Sequence, residues 1–371
     1  MRPLAPLLLA LAACTASPEP SDWHPLFNGV DLSGWVPVTV APDTFRAQDG
    51  LLVCTGKPTG VLRSDRMYEN FVLELEWRHM VPGGNAGLFV WSDPLPAVGV
   101  PFTRSLEVQV MDGVETADCT SDGDIFSIWG ARFVPDRPHP SGWERCLPSE
   151  HRARPSPEWN HYRVTCRDGV IELEVNGAKV SGGRQATPRK GYVCLESEGS
   201  EVHFRNVRIL ELPDSEPALA AEDVAHEAGG DAPLYTGIDL SGWVAEGDAD
   251  GTHWQARDSV LWTDGGGGEL LGPALPSDFV LRLDWKREVE APPRLPLVLP
   301  VVSEVPRASA PGWHRLLVTC HDGALTIQVD DEEPFQELCS GLSRPADPVL
   351  ALRLAPGGLE TEYANLFLRT R

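Results

Sequence analysis

Basic residues are scarce in this chain, and lysine is scarcer still. Lys and Arg together number 31 against 54 Asp and Glu, a formal charge of −23 over 371 residues, and the lysines are Lys57, Lys179, Lys190 and Lys286 alone. A protein that neutralises phosphates needs a basic face, so nucleic acid is excluded as a partner, as is a polybasic membrane-surface module. Beyond the N-terminus no apolar run approaches the roughly eighteen residues that a membrane helix needs. No CxxC or Cys/His ligand spacing occurs, which removes a structural zinc site, and no GxSxG occurs, which removes a nucleophile elbow. A sustained 3.6-residue apolar stripe is also missing, while 35 Gly and 34 Pro supply many turns. Few long helices fit such a chain.

What the N-terminus has is a short positive start followed by an apolar run from Leu4 to Ala13. That run is too short to span a bilayer and reads as a signal peptide over residues 1–13. It ends Leu11-Ala12-Ala13-Cys14, the small-residue pattern of a bacterial lipoprotein cleavage site, so Cys14 is the expected lipidated residue and residues 14–21 the tether. The expected location is the bacterial cell envelope, periplasm or outer membrane, with the membrane reached through the lipid anchor only. Seven further cysteines cannot all pair; Cys119 with Cys146 and Cys320 with Cys339 are the pairings to test, and Cys166 and Cys194 sit in strand patterns that suit buried thiols.

An internal repeat sets the domain plan. LFNGVDLSGW (Leu26 to Trp35) returns as LYTGIDLSGW (Leu234 to Trp243), and FVLELEW (Phe71 to Trp77) returns as FVLRLDW (Phe279 to Trp285), both 208 residues later. WNHYRVTCRDG (Trp159 to Gly169) returns as WHRLLVTCHDG (Trp313 to Gly323) after only 154, so the second copy lacks 54 residues between. The division is residues 22–213 for the first copy, 214–231 for a linker, and 232–371 for a shortened second copy. Period-two alternation recurs, as in Phe71, Leu73, Leu75 and Trp77, and Asn176-Gly177 is a strong hairpin signal. The fold class is all-β: a jelly-roll sandwich followed by a smaller β-sandwich repeat that has lost strands from one sheet.

The missing 54 residues hold the chemistry-bearing segments of the first copy. On SLEVQVMDG, Glu107 and Gln109 share the face opposite Leu106, Val108 and Val110. If the apolar set faces the core, Glu107 stands on an exposed and potentially concave sheet surface as a base, with Gln109 as a hydroxyl-recognising amide. Trp91 or Trp129 would offer a stacking platform for a sugar ring. A solvated strand shows the same alternation, and that simpler reading stays open here. Asp112 lies just past this strand, where it could meet substrate or a cation. Glu196 and Glu198 alternate in GYVCLESEG and could form an acid and base pair, although surface solvation explains them as simply. GGNAG lacks the Lys and helix start of a phosphate loop and reads as a turn. Asp118, Asp122 and Asp124 lack the twelve-residue calcium-loop pattern.

At FNGVDLSGW, DGLLVCTG, GGNAGLF, LEVQVMDG, EWNHYRVTCRDG and GYVCLESEGSEVHFRNVRILEL the chain resembles the bacterial 3-keto-disaccharide hydrolase family, also described as 3-keto-glucoside lyase and 3-keto-2-hydroxy-glucal hydratase. The resemblance covers residues 22 to 213; the second copy shares it only at its flanks. It implies a concanavalin-like jelly roll acting on glycosides whose C3 hydroxyl a separate 3-dehydrogenase has oxidised. The C3 ketone acidifies the C2 hydrogen, a base removes it, the C1 substituent leaves by β-elimination, and rehydration completes a net hydrolysis. Carried over, Asn85 falls on the family's GNxG position and Glu107 and Gln109 on its ExQ positions. Glu107 is then the expected base, Gln109 and Asn85 position the carbohydrate substrate, and Asp112 is secondary, acting through a divalent metal that would stabilise the enolate. The chain departs from the resemblance at Trp91, where the family often has Arg, and around Asp122 and Trp129, where relatives carry His. These departures favour the alternative, a non-catalytic carbohydrate-binding jelly roll of the envelope. A third reading makes both copies structural units of an envelope assembly.

Overall fold

The alternation along Phe71–His79 is realised in full: Phe71, Leu73, Leu75 and Trp77 turn inward and are sealed from solvent, while Glu74 and Glu76 face out. Each such buried side chain contributes on the order of 2 kcal/mol, which is why the period of two fixes the register. These coordinates are a computed structural model that describes residues 22–113, 121–142, 144–248, 251–288, 311–338, 351–354 and 358–371. The apolar leader, Cys14 and the tether lie outside the described residues. Among the described residues no helix is long and apolar enough to cross a membrane.

Two antiparallel sheets make the first half. One runs Arg132–Pro135, Ala178–Thr187, Val170–Val175, Asn160–Arg167, Phe71–His79, Val202–Glu211, Leu51–Cys54, Phe45–Gln48, with His24–Pro25 added to Val202–Glu211. The other runs Arg145–Cys146, Ile125–Ile128, Ser105–Met111, Asn85–Ser92, Tyr192–Ser197, Gly60–Ser64, Trp35–Pro37. Their facing sides interdigitate into one core that includes Leu73, Trp77, Leu88, Val108, Val164 and Leu195. Asn176 and Gly177 close a hairpin with φ of 48° and 84°, the pair of positive values that a two-residue type I′ turn requires. This is the expected jelly-roll sandwich.

The second half repeats the order of strands in its larger sheet: Trp254–Arg257, Val260–Thr263, Thr361–Thr370, Phe279–Arg287, Gly312–His321, Ala324–Val329, Phe335–Leu338, with Ala232–Pro233 added to Thr361–Thr370. Its facing sheet has three described strands, Val244–Ala245, Leu270–Ala274 and Ala351–Leu354, where the first half has seven. A separate core of Leu281, Leu283, Leu316, Val318, Ile327 and Leu354 holds the two together. Between the halves the chain makes a single 3-10 turn, Ala221–Asp223, and is strapped to the first half where the Asp223 carbonyl accepts from the Arg189 amide at 2.7 Å.

The halves also touch directly. Asn365 donates to the Ala97 and Val100 carbonyls at 2.9 and 3.0 Å, Arg315 donates to the Pro96 carbonyl at 3.0 Å, and Asp284 accepts the Gly99 amide at 2.9 Å. A Cβ at Gly99 would fall 2.3 Å from the Trp313 ring, so only glycine lets this loop lie against the indole. Phe367 inserts into a small apolar cluster with Val38, Val61, Phe89, Tyr192 and Cys194 on the outer side of the seven-stranded sheet. That side is therefore divided: one part is covered by the second half, and the rest carries carboxyl groups.

Cys54, Cys146, Cys166, Cys194 and Cys320 are buried free thiols, as the strand positions of Cys166 and Cys194 led one to expect. The pairings suggested for Cys146 and Cys320 involve Cys119 and Cys339, which lie outside the described residues.

Candidate active site

Strand Ser105–Met111 sends Leu106, Val108 and Val110 into the core and leaves Glu107 and Gln109 on the outer face. Its register against Asn85–Ser92 sets Gln109 beside Gly87 and Glu107 beside Phe89. On the far side of Asn85–Ser92 lies Tyr192–Ser197, and an isolated bridge pairs Asn85 with Glu198. Three adjacent strands and their ends thus gather Asn85, Glu107, Gln109, Glu196 and Glu198 on one face.

Gly87 is the hinge of this arrangement. A Cβ there would fall 2.7 Å from Glu196 Oε2 and 3.0 Å from Glu107 Oε1, so the missing side chain is the space the two carboxyl groups occupy. Glu196 is only 2% exposed, and its Oε2 has no hydrogen-bond partner among the described residues. Burial of an unpaired carboxylate is costly, so both groups hold their protons more tightly than a free carboxyl does. Glu107 is pushed up to about 8, first by burial and then by the charges of Glu198 and Asp124. Glu196 is raised well above the ordinary range by burial, then by Glu107 and Glu198. Glu198 is raised by burial, against an opposing hydrogen bond from Asn85. Two close carboxyls of this kind titrate as a pair, and near neutrality the pair retains a proton.

A chain of amides runs beside them. Gln109 Nε2 donates to Asn85 Oδ1 and to the Ala86 carbonyl at 3.2 Å, and Asn85 Nδ2 donates to Glu198 Oε2. The Asn85 amide nitrogen of the backbone donates to Ser200 Oγ at 3.1 Å. Gln109 is 1% exposed with both amide hydrogens committed, so it orients Asn85 rather than meeting a sugar hydroxyl itself. Asn85 is half-buried and keeps a second amide hydrogen for a ligand.

The structure corrects other expectations. Trp91 is no stacking platform: it is fully buried, its indole N–H donates to the Glu69 carbonyl at 2.8 Å, and its ring meets Phe71 edge-on. Simple alternation from Asn85 would leave it outside, but its φ of 53° breaks the strand's period and turns it into the core. Asp112 does not face outward either. Its carboxylate accepts the backbone amides of Gly83 and Ser156, both at 3.2 Å, and ties two loops together. Trp129 is 48% exposed but lines a different cleft, against the second half. Asp122 and Asp124 are likewise committed, Asp122 to His151 at 2.7 Å and to the Ala153 amide at 2.9 Å, Asp124 to Arg145 at 2.5 Å. Surface solvation was the simpler reading of Glu196, and its burial overturns that. Its alternation with Glu198 was visible in the sequence; the crossing against Gly87 was not.

Among the described residues the group of three potential ligands with donor atoms within 4.8 Å of one another is Asp278, His321 and Asp322, in the second half.

The sequence model of the 3-keto-alpha-glucoside-1,2-lyase-like domain matches residues 22–210, about half the chain and all of the carboxyl site. The chain belongs to this family. A domain of the 3-keto-glucoside lyase family on a jelly-roll sandwich supports a carbohydrate-acting function. No curated protein sequence matches. Solved structures similar to the chain include a protein assigned as a glycosyl hydrolase from Parabacteroides distasonis, at 22% identity and TM-score 0.40, with 52% of this chain and 94% of that one covered. A carbohydrate-binding module from Bacillus subtilis follows at 11% identity and TM-score 0.35, covering 47% and 93%. A β-glucanase from Bacillus licheniformis is similar at 12% identity and TM-score 0.34, covering 52% and 98%.

Proposed function

We propose that this member of the 3-keto-glucoside lyase family cleaves 3-keto-glycosides, with Glu107 as the base. The observation that carries the reading is the Glu107 carboxyl, half-buried on the outer sheet face beside Gly87 and pushed up to about 8 by burial and by neighbouring carboxyls. A base in that range is far stronger than an ordinary carboxylate and still deprotonates under mild conditions. Glu107 takes the C2 proton, the electron pair passes through the C3 enolate, and the C1–O bond breaks to leave a C1=C2 double bond. The departing oxygen takes a proton from water; the hydroxide so formed adds to C1 and Glu107 returns its proton to C2, which gives the free 3-keto sugar and restores the carboxylate. Asn85, held by Gln109 and Glu198, positions the substrate through its free amide hydrogen. Burial and the charge of Glu198 keep a negative charge on Glu107 costly and so sustain its basicity.

A separate 3-dehydrogenase would supply the C3 ketone. The Leu11-Ala12-Ala13-Cys14 pattern supports export and lipid anchoring at Cys14, and the matched strand orders support the second half as a reduced copy of the first. The deciding experiment incubates the full chain with a 3-keto-glucoside and with its unoxidised parent and follows aglycone release. Turnover of the keto form alone, abolished in Glu107→Gln, is expected. Binding of sugar without turnover by the parent chain would favour the binding-module reading instead. Lipid label incorporated by the full-length precursor and absent from Cys14→Ala tests the anchor.

A further inference from the structure

The second cleft with unexplained chemistry lies between the halves. It encloses about 620 Å³, with Trp129 and the loop from Asp93 on one wall, the linker residues His226 and Asp231 behind, and Arg282, Arg315 and Arg369 on the other wall. Four arginines line it in a chain of charge −23, which asks for a reason. Three have one. Arg104 donates twice to Asp93, at 2.9 and 3.0 Å. Arg315 forms a pair of hydrogen bonds with Asp284 at 2.7 and 2.8 Å, and Arg369 stands 3.9 Å from Asp231.

Arg282 has none. Among the described residues its Nε is buried without a hydrogen-bond partner, and it forms no ion pair. Asp231 Oδ1, in the same cleft, is equally buried and unpartnered. Burial, then the like charge of Arg315, lower the Arg282 pKa, while the charges of Asp231 and Asp284 oppose that shift. An orphan donor with a full positive charge, an orphan acceptor and a half-exposed indole therefore share one cavity. A ligand that satisfies all three must carry an oxyanion for Arg282, a hydroxyl to donate to Asp231, and a flat C–H face to lie on Trp129.

We propose that this cleft binds a sugar bearing an oxyanion, a carboxylate or a sulfate, with its ring on Trp129 and its anion at Arg282. The site needs both halves: the first supplies the indole and the second the cation. It gives the shortened second half a task that its reduced sheet would not suggest. Neither Glu107 nor Asn85 takes part, so the proposal stands apart from the catalytic reading.

The test is isothermal titration calorimetry of the full chain with D-glucuronate, glucose 6-sulfate, D-glucose and inorganic sulfate. Both sugar acids are expected to bind, with glucose and sulfate each at least about tenfold weaker, because each lacks one of the two recognition elements. Arg282→Gln should weaken the sugar acids by about tenfold or more, and Trp129→Ala by about threefold or more while leaving sulfate unchanged. Unchanged melting temperatures establish that both variants fold. Equal binding of glucose and glucuronate, equal binding of sulfate and the sugar acids, no binding of any of the four, or no effect of Arg282→Gln would each overturn the proposal. Glu107→Gln should keep the affinity for sugar acids; its loss would assign them to the carboxyl site instead. Failure of the 3-keto-glucoside assay leaves this outcome untouched.

Discussion

Replacing Glu107 by Gln should make the protein less sensitive to alkali, and the size of the effect follows from the site. In the unfolded chain this carboxyl ionises near its ordinary 4.5, whereas in the fold it holds its proton to about 8. Between those values the folded state binds the extra proton, so stability falls as pH rises. The contribution is fully present below about 4.5 and is lost once pH passes through 8. Over that range the wild type gives up on the order of 5 kcal/mol from this group. That is a large fraction of the 5–15 kcal/mol typical of a folded domain. Gln cannot ionise, keeps nearly the same shape and also removes a charge from beside Glu196. The difference in unfolding free energy, variant minus wild type, should therefore grow in the variant's favour from pH 5 to about pH 8 and level off above it. Urea titrations at half-unit intervals, followed by tryptophan fluorescence, measure it. Parallel pH curves for the two proteins would refute the claim that Glu107 holds a proton because of burial.

The same group sets the rate. Turnover of a 3-keto-glucoside should climb with pH and level off near 8 as the Glu107 carboxylate forms, and Glu107→Gln should lower kcat by about a hundredfold or more at every pH. A rate that levels off near pH 5 would remove Glu107 as the base. Gly87→Ala places a methyl group 2.7 Å from Glu196 Oε2 and should cost about 1–3 kcal/mol in urea melts as the carboxyl groups are forced apart. Asn85→Ala leaves Glu198 and Gln109 without their shared partner, so kcat/KM should drop by about tenfold or more and urea melts should show a loss of about 1–3 kcal/mol. Asn365→Ala removes donors to the Ala97 and Val100 carbonyls and should expose the loop around Gly99 to limited proteolysis well before global unfolding.

Much of this fold is written in local pattern. Alternation along Phe71–His79 and Ser105–Met111 gives both the core and the outward carboxyl, because a strand's two faces are set by parity alone. Asn176-Gly177 gives a hairpin because few other pairs accept two positive φ values. The site was legible where it lies on one strand, as with Glu107 and Gln109. It became obscure where it depends on what crosses the strand. Trp91 left its expected face through one residue's φ, which composition does not report. Glu196 is hidden because the neighbouring strand offers a glycine opposite it and the sheet packs tightly there, a fact of register between segments more than a hundred residues apart. Trp129 was recognised as an exposed aromatic, but its partners come from the second half, at Arg282 and beyond.

The grip of the second half on the loop around Gly99 is made almost wholly to main-chain atoms: the carbonyls of Pro96, Ala97 and Val100 and the amide of Gly99. Such a clasp reads the path of the loop and is nearly blind to its side chains. Substitution at Ala97 or Val98 can accumulate without loosening the halves, whereas any side chain at Gly99 collides with Trp313. The loop is thus a place where sequence can drift, or be redesigned, around one fixed point.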